Sequence, residues 1–260
     1  MNIIRIYGGL GNQLFQYAFG KLIESRGREV GFDVAWYNKK DGRFPRPLRL
    51  DKFVTHYETV RMYFKNDTIH ENGLLPSISM KGNYNYIGYW QSPLYYEGIY
   101  NSLQNEFWVR SKYYTEDYLR MKEKVMQCNS VAVHVRRGDF LGHKEHLVLP
   151  LEYYNEAISI ISSLREDIQI FVFSDGIDWC RKNFKGENIT FVQMEDYLEF
   201  DLMRYCKSKI TANSTFSWWP AYLDKEGIIV TPERWWVNEK ETLTMQAKKF
   251  LPDRWIKLKI

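Results

Sequence analysis

Two hydrophobic periods alternate along this chain, and their order predicts its elements. Asn2-Ile3-Ile4-Arg5-Ile6-Tyr7 reads as a short strand. Gly8-Gly9-Leu10-Gly11-Asn12-Gln13 follows as a loop, and apolar residues at helical spacing predict a helix from Leu14 to Gly27. Between Tyr37 and Met80 the pattern loosens, with a turn-rich loop at residues 41–47. A strand is expected from Tyr84 to Tyr89, then a helix start with Ser92 as cap and Pro93 in the first position. Helical patterns cover 93–106 and 113–127.

The second half is more regular. It predicts strands at 130–136, 168–173, 189–192, 208–212 and 227–231, separated by helices at 150–164, 177–184, 196–206 and 215–223. A final helix at 241–250 precedes a basic tail. Such alternation argues an α/β fold with a parallel sheet covered on both faces. Domain boundaries are placed at 1–128, 129–240 and 241–260.

Composition narrows the function. The 260 residues carry a net charge of +4, which suits an anionic small molecule better than nucleic acid. The basic tail (Lys248, Lys249, Arg254, Lys257, Lys259) is read as a solvated face, with peripheral contact at an anionic membrane surface as the alternative. No apolar run is long enough to span a bilayer and no leader precedes the first strand, so a cytoplasmic protein is expected. Three unclustered cysteines indicate neither disulfides nor a zinc site.

Three clusters hold candidate chemistry. The strand Val131–Val135 delivers Arg136, Arg137, Gly138 and Asp139 where open α/β sheets bind ligands. Arginine's rigid fork matches pairs of phosphate oxygens, although Arg136 or Arg137 could instead pair with Asp139 to close a surface turn. His134 shares a strand face with Arg136 and is either structural or part of the same site. At Thr211–Pro220 a strand runs into a helix start, where amides and hydroxyls cap the helix or cradle an anion. At Phe173-Ser174-Asp175 a carboxylate stands at a third strand end, facing a nucleoside or capping the helix from Ile177. Asp139, Glu145 and His143 are candidates for a general base. Trp90, Tyr95, Tyr96, Trp218, Trp219, Trp235 and Trp236 divide between core and sugar-stacking platforms.

Other chemistries lack their signatures. The chain has no Asp-X-Asp pair for a metal-bound diphosphate and no P-loop. His143-Lys144-Glu145-His146 lacks a third zinc ligand. A dinucleotide fingerprint is half present: Gly9 and Gly11 with Asp33 further on, but Leu14 in the third glycine position. A nicotinamide-dependent dehydrogenase and a non-catalytic nucleotide- or carbohydrate-binding protein are two readings that these features leave open.

Taken in order, Gly8–Tyr17, His134–Asp139, Phe173–Asp175 and Asn213–Trp219 resemble the α-1,2-fucosyltransferases of glycosyltransferase family eleven, over residues 1 to about 231. The resemblance implies a GT-B-like fold of two Rossmann-like domains, an acceptor-side domain at 1–128 and a GDP-sugar-binding domain at 129–240, with the active site in the cleft between them and a C-terminal helix and basic tail at 241–260. It implies metal-independent, inverting transfer of L-fucose from GDP-L-fucose to the 2-hydroxyl of a galactoside, with another linkage or another GDP-sugar as the alternative. By motif position Arg136 would contact the diphosphate, and Ser214, Thr215 and Phe216 would line the diphosphate and nucleoside. Asn12 would reach in from the first domain, and His134 and Asp175 would support the nucleoside. Arg136, Asp139 and Asn12 are thus the expected catalytic set. No cofactor or metal is expected, and the partners would be GDP-fucose and a galactose-terminated oligosaccharide or lipid-linked glycan.

Overall fold

In the computed structural model, which describes residues 1–38, 46–62, 65–71 and 82–260, the chain forms two compact units. One comprises Met1–Arg110 with Thr244–Phe250, the other Ser111–Leu243 with Leu251–Ile260. Residues 41–45 of the expected turn-rich loop lie outside the described residues.

The first unit is built on a parallel sheet in the order β2-β1-β4-β3, with β1 Asn2–Arg5, β2 Val30–Asp33, β3 Asp67–His70 and β4 Tyr84–Ile87. Its principal helix, α1 (Leu10–Ser25), buries Leu14, Phe15, Ala18, Phe19, Leu22 and Ile23. The helix stops where Gly27 adopts φ +75°, a conformation that glycine enters without steric cost. Ser92 caps its turn as expected, its Oγ accepting from the Leu94 N–H at 3.3 Å. The predicted helix at 93–106 is shorter, however. Two 3₁₀ turns at 93–95 and 97–99 precede α2 (Tyr100–Glu106), the break falling at Gly98.

The second unit begins with α3 (Glu116–Met126) and then alternates: β5 Asn129–Val135, α4 Leu151–Leu164, β6 Ile168–Ser174, α5 Ile177–Asn183, β7 Ile189–Val192, α6 Asp196–Tyr205, β8 Ser208–Ile210, α7 Thr215–Tyr222, β9 Ile228–Pro232, α8 Glu239–Ala247 and β10 Ile256–Leu258. Every pairing is parallel, in the order β10-β9-β8-β5-β6-β7. Val131, Val133 and Val135 of β5 share one core with Val172, Ile210, Val230 and the α4 residues Tyr154, Ala157 and Ile161. Continuous β-branched runs are what a strand covered on both faces requires.

The division between units falls at Arg110, not at the 128 expected from sequence. Helix α3 packs on the second unit, where the Tyr118 hydroxyl donates to buried Asp201 and Lys122 Nζ to the Tyr205 hydroxyl at 2.8 Å. The basic tail is not a separate extension either. Residues 244–250 belong to the first unit, and β10 adds a sixth strand to the second sheet. Arg254 donates to the Ala221 carbonyl at 3.1 Å, and Lys257 lies 3.5 Å from Asp253. Among the described residues no helix is long and apolar enough to cross a membrane.

Candidate active site

The order of strands fixes where the site can be. After β5 the chain builds outward through β6 and β7, then returns to place β8 on the other side of β5. A parallel sheet opens a crevice at the carboxyl ends of strands where its winding reverses, which here lies between β5 and β8. Arg136 leaves β5 at this end, Asp175 leaves the neighbouring β6, and Asn213–Phe216 follow β8. Three of the sequence clusters therefore meet on one edge of one sheet.

Arg136 is mostly buried and held between two carboxylates. Its guanidinium donates to Asp139 and, through Nη1, to Asp175 Oδ2 at 2.8 Å. Asp175 is itself fixed, because its Oδ1 accepts the Arg137 N–H at 2.8 Å. The turn allows this only because residue 138 is glycine: a Cβ there would stand 2.5 Å from Asp175 Oδ2. Of the two arginines the sequence leaves open as partners of Asp139, the structure pairs it with Arg136. The Arg137 guanidinium instead lies over the Trp179 ring, 4.0 Å from its centroid.

Behind the arginine runs a stack of flat groups. The Arg136 guanidinium lies 5.2 Å from the Phe140 centroid, and His146 stacks on that ring at 4.2 Å and 7°. Trp236 approaches His146 at 4.7 Å. Burial, followed by the charge of His143, holds the His146 pKa below its ordinary value. The His146 imidazole is therefore part of an aromatic layer. Among the described residues no three His, Cys, Asp or Glu side chains converge as metal ligands.

His134 lies beneath the start of α7. It is fully buried, its Nδ1 is 2.9 Å from Ser217 Oγ, and its ring packs 5.2 Å from Phe216. Burial, with the Arg136 charge adding to it, drives its pKa down to about 3. A neutral imidazole thus props the helix start. Ser214 caps α7 by accepting from the Phe216 N–H at 3.3 Å, and Ser214, Thr215 and Phe216 remain half-buried. Asn213 points the other way, donating to the carbonyls of Leu147 at 2.7 Å and Trp235 at 2.8 Å. It ties the loop after β8 to the segments beside it.

One acid escaped the sequence reading. Glu199, in the first turn of α6, accepts the Met194 N–H at 2.9 Å. Burial pushes its pKa up to about 8; the Met194 hydrogen bond opposes this, while Asp196 and then Asp175 reinforce it.

In the first unit the long glycine-glutamine motif is mostly structural. Gln13 Oε1 accepts the Arg49 N–H at 2.8 Å, and its Nε2 donates to the Pro47 carbonyl at 2.9 Å. Gln16 accepts the Tyr7 N–H at 2.9 Å and donates to the Gly88 carbonyl at 3.3 Å. Both side chains are fully buried, stapling α1 to the loops after β1 and β4. Asn12 is half-buried, and its Oδ1 accepts from Gln91 Nε2 at 2.9 Å. Asp33, the ribose ligand of the dehydrogenase reading, is consumed internally by Arg5 at 3.0 Å and the Ala35 N–H at 3.0 Å.

The tryptophans considered as sugar platforms are largely core. Trp90, Trp218 and Trp219 are wholly buried, Tyr96 likewise, and Trp235 nearly so. Two other aromatic residues stay exposed in the first unit, Trp36 and Tyr89.

Comparison with known proteins decides the family. The model of glycosyl transferase family 11 matches residues 1–259. This chain belongs to glycosyltransferase family 11. An Escherichia coli alpha-1,2-colitosyltransferase is 29% identical over 98% of this chain and 98% of its own length. The O-antigen biosynthesis glycosyltransferase WbnK of the same species is 27% identical over 96% of this chain and 98% of its own. A galactoside alpha-(1,2)-fucosyltransferase 1 from Saimiri boliviensis boliviensis is 33% identical over 36% of this chain and 28% of its own. Among solved structures, the fucosyltransferase NodZ from Bradyrhizobium matches with a TM-score of 0.57 at 14% identity, covering 85% of this chain and 91% of that one. The fold is therefore α/β and GT-B-like, with two parallel-sheet units. Family membership removes the dehydrogenase rival.

Proposed function

We propose that this family 11 transferase moves L-fucose from GDP-L-fucose to the 2-hydroxyl of a terminal galactoside, with inversion and without a metal. The observation that carries the reading is the placement of Arg136 at the β5–β8 crevice beside the half-buried start of α7. A guanidinium fork and main-chain amides can together receive a diphosphate.

Transfer breaks the bond between the sugar's anomeric carbon and a β-phosphate oxygen, and the electron pair leaves with GDP. The acceptor oxygen attacks from the opposite face and gives up its proton. Charge building on the departing phosphate is stabilised by Arg136 and the α7 amides, which are oriented before reaction begins. Arg136 meets its two carboxylate partners through one nitrogen each, Asp139 through Nη2 and Asp175 through Nη1, so further N–H donors of the fork are left for a diphosphate. Asp175 is fixed by the Arg137 N–H, and Asp139 opens a four-residue 3₁₀ turn at 139–142. The Asp139 carboxylate is a candidate acceptor for the proton. His134, neutral at physiological pH, supports Phe216 rather than exchanging protons. Ser214, Thr215 and Phe216 line the diphosphate and nucleoside.

A second reading changes only the donor sugar. The similarity to a colitosyltransferase along nearly the whole length supports another GDP-sugar in the same site. Incubating the protein with GDP-fucose or GDP-colitose and a small galactoside, followed by linkage analysis, tests both. An α-1,2-fucosylated product is expected. Turnover of GDP-colitose alone would transfer the assignment to the second reading, and GDP binding without turnover of either donor would leave a binding protein.

A further inference from the structure

The rings behind Arg136 come from two loops far apart in the chain. One leaves β5 and carries Phe140 and His146, and the other leaves β9 and carries Trp236. Both lie within the second unit. A short antiparallel bridge pairs His146 with Trp236, and the Val237 N–H donates to the Glu145 carbonyl at 3.1 Å. Side chains directly opposite across such a bridge stand on one side and touch, which is why imidazole and indole meet. Successive residues of an extended segment point to opposite sides. Trp235 is accordingly buried, while the half-exposed Trp236 turns to the stack.

The two loops are further fastened. Arg234 donates through Nε to the Trp236 carbonyl at 2.9 Å and through Nη2 to the Val237 carbonyl, which pins the second loop. Asn213, after β8, donates to the Leu147 carbonyl of the first loop and to the Trp235 carbonyl of the second. One amide therefore holds the exits of β5, β8 and β9 together.

This framework acts on the arginine. Carboxylates engage Arg136 Nη1 and Nη2, whereas its Nε is buried with no partner among the described residues. Bonds to two terminal nitrogens fix one edge of a guanidinium and leave it free to roll about the line that joins them. A ring against its face removes the roll. Phe140 supplies that face, 5.2 Å away, and cannot recede, because His146 stacks on its far side and Trp236 lies behind His146. The plane matters because a fork donates paired N–H bonds to an anion only when it lies level with the accepting oxygens.

We propose that Trp236 is a positioning residue, which acts through His146 and Phe140 to hold the plane in which the Arg136 fork meets the donor's diphosphate. The inference rests on the transferase reading above, since that reading makes Arg136 a diphosphate ligand.

The test measures GDP and GMP affinity by calorimetry on the full chain. Only GDP carries the second phosphate, so the ratio of the two affinities reads the diphosphate contact and cancels losses elsewhere on the nucleotide. Trp236→Ala should lower GDP affinity about three- to tenfold, as loss of one stacking contact would, with GMP held within about twofold. Trp236→Phe should restore the wild-type ratio. In an Arg136→Lys background, which has no plane to hold, Trp236→Ala should cost nothing further. Thermal melting reports folding, and His146→Ala, which cuts the same stack, takes the place of Trp236→Ala if that variant does not fold. A folded variant with the wild-type ratio, equal losses for both nucleotides, or the full cost in the lysine background overturns the inference. A wild type that binds GDP no better than GMP overturns instead the diphosphate role of Arg136 on which it rests.

Discussion

The two sheets solve the same topological problem and decorate the solution with opposite chemistry. In the second unit the strand ends offer ions: Arg136 between Asp139 and Asp175. In the first they offer neutral rings and amides, with the ionic pair Glu71–Lys248 turned to backbone support. A doubly charged leaving group needs the first kind of surface, whereas an uncharged sugar needs the second. The winding reversal selects the place, and the loops select the ligand.

The most severe way to break this contrast is to alter the arginine fork. Arg136→Lys keeps the charge but loses paired donation, and turnover should fall about 10²–10³-fold. A lysine variant within a few-fold of wild type would remove the diphosphate role from this residue. Next in size is Gly138→Ala. The added methyl collides with Asp175, displacing the carboxylate that orients Arg136. GDP affinity should drop about tenfold by calorimetry, equal to one lost charge-assisted contact, and an affinity equal to that of wild type would remove the Asp175–Arg136 pair from the donor site.

Titration sharpens the comparison further. His134 binds its proton less readily folded, at a pKa of about 3 against 6.5. The unfolded chain therefore takes up more protons below pH 6.5, and stability falls as pH drops toward 3. The slope approaches about 1.4 kcal/mol per pH unit. Glu199 works in the opposite direction, with a folded pKa of about 8 against 4.5. Its contribution is present below 4.5 and disappears as pH rises through 8. Urea denaturation from pH 4 to 8.5 should show His134→Asn flattening the acid side and Glu199→Gln the alkaline side. The smallest expected effect belongs to Glu71→Gln, which keeps the acceptor shape but weakens its grip on Lys248 and two N–H groups. A loss of about 1 kcal/mol in stability is anticipated, with GDP affinity untouched.

Much of this was legible before any coordinates. The β-branched runs of β5 and β6 and the alternation after residue 129 dictated a parallel sheet, because only strands buried on both faces read that way. Arg136 and the start of α7 were recognisable since each terminates a strand. The short, polar strands were less visible: β3 reads Asp67-Thr68-Ile69-His70 and exposes most of its residues, so no alternation marks it. β10 was hidden among lysines that look like a solvated tail. Asp139's partner could not be read from sequence because two adjacent arginines are equivalent there, and the turn at Gly138 chooses between them. Tyr89 and Trp36 were passed over in favour of more conspicuous tryptophans, which the core had already claimed. Exposure depends on neighbours distant in the chain, and spacing carries no trace of it.

The late return of the polypeptide has a consequence for the order of folding. Lys248 reaches Glu71 across 177 positions, and β10 pairs with β9 only after α8 has intervened. Until the segment after α8 is made, the five-residue strand Ile228–Pro232 is the edge of its sheet. A chain cut before Ile256 would keep that longer, apolar edge in place of the short β10, the kind of edge that recruits other chains into aggregates.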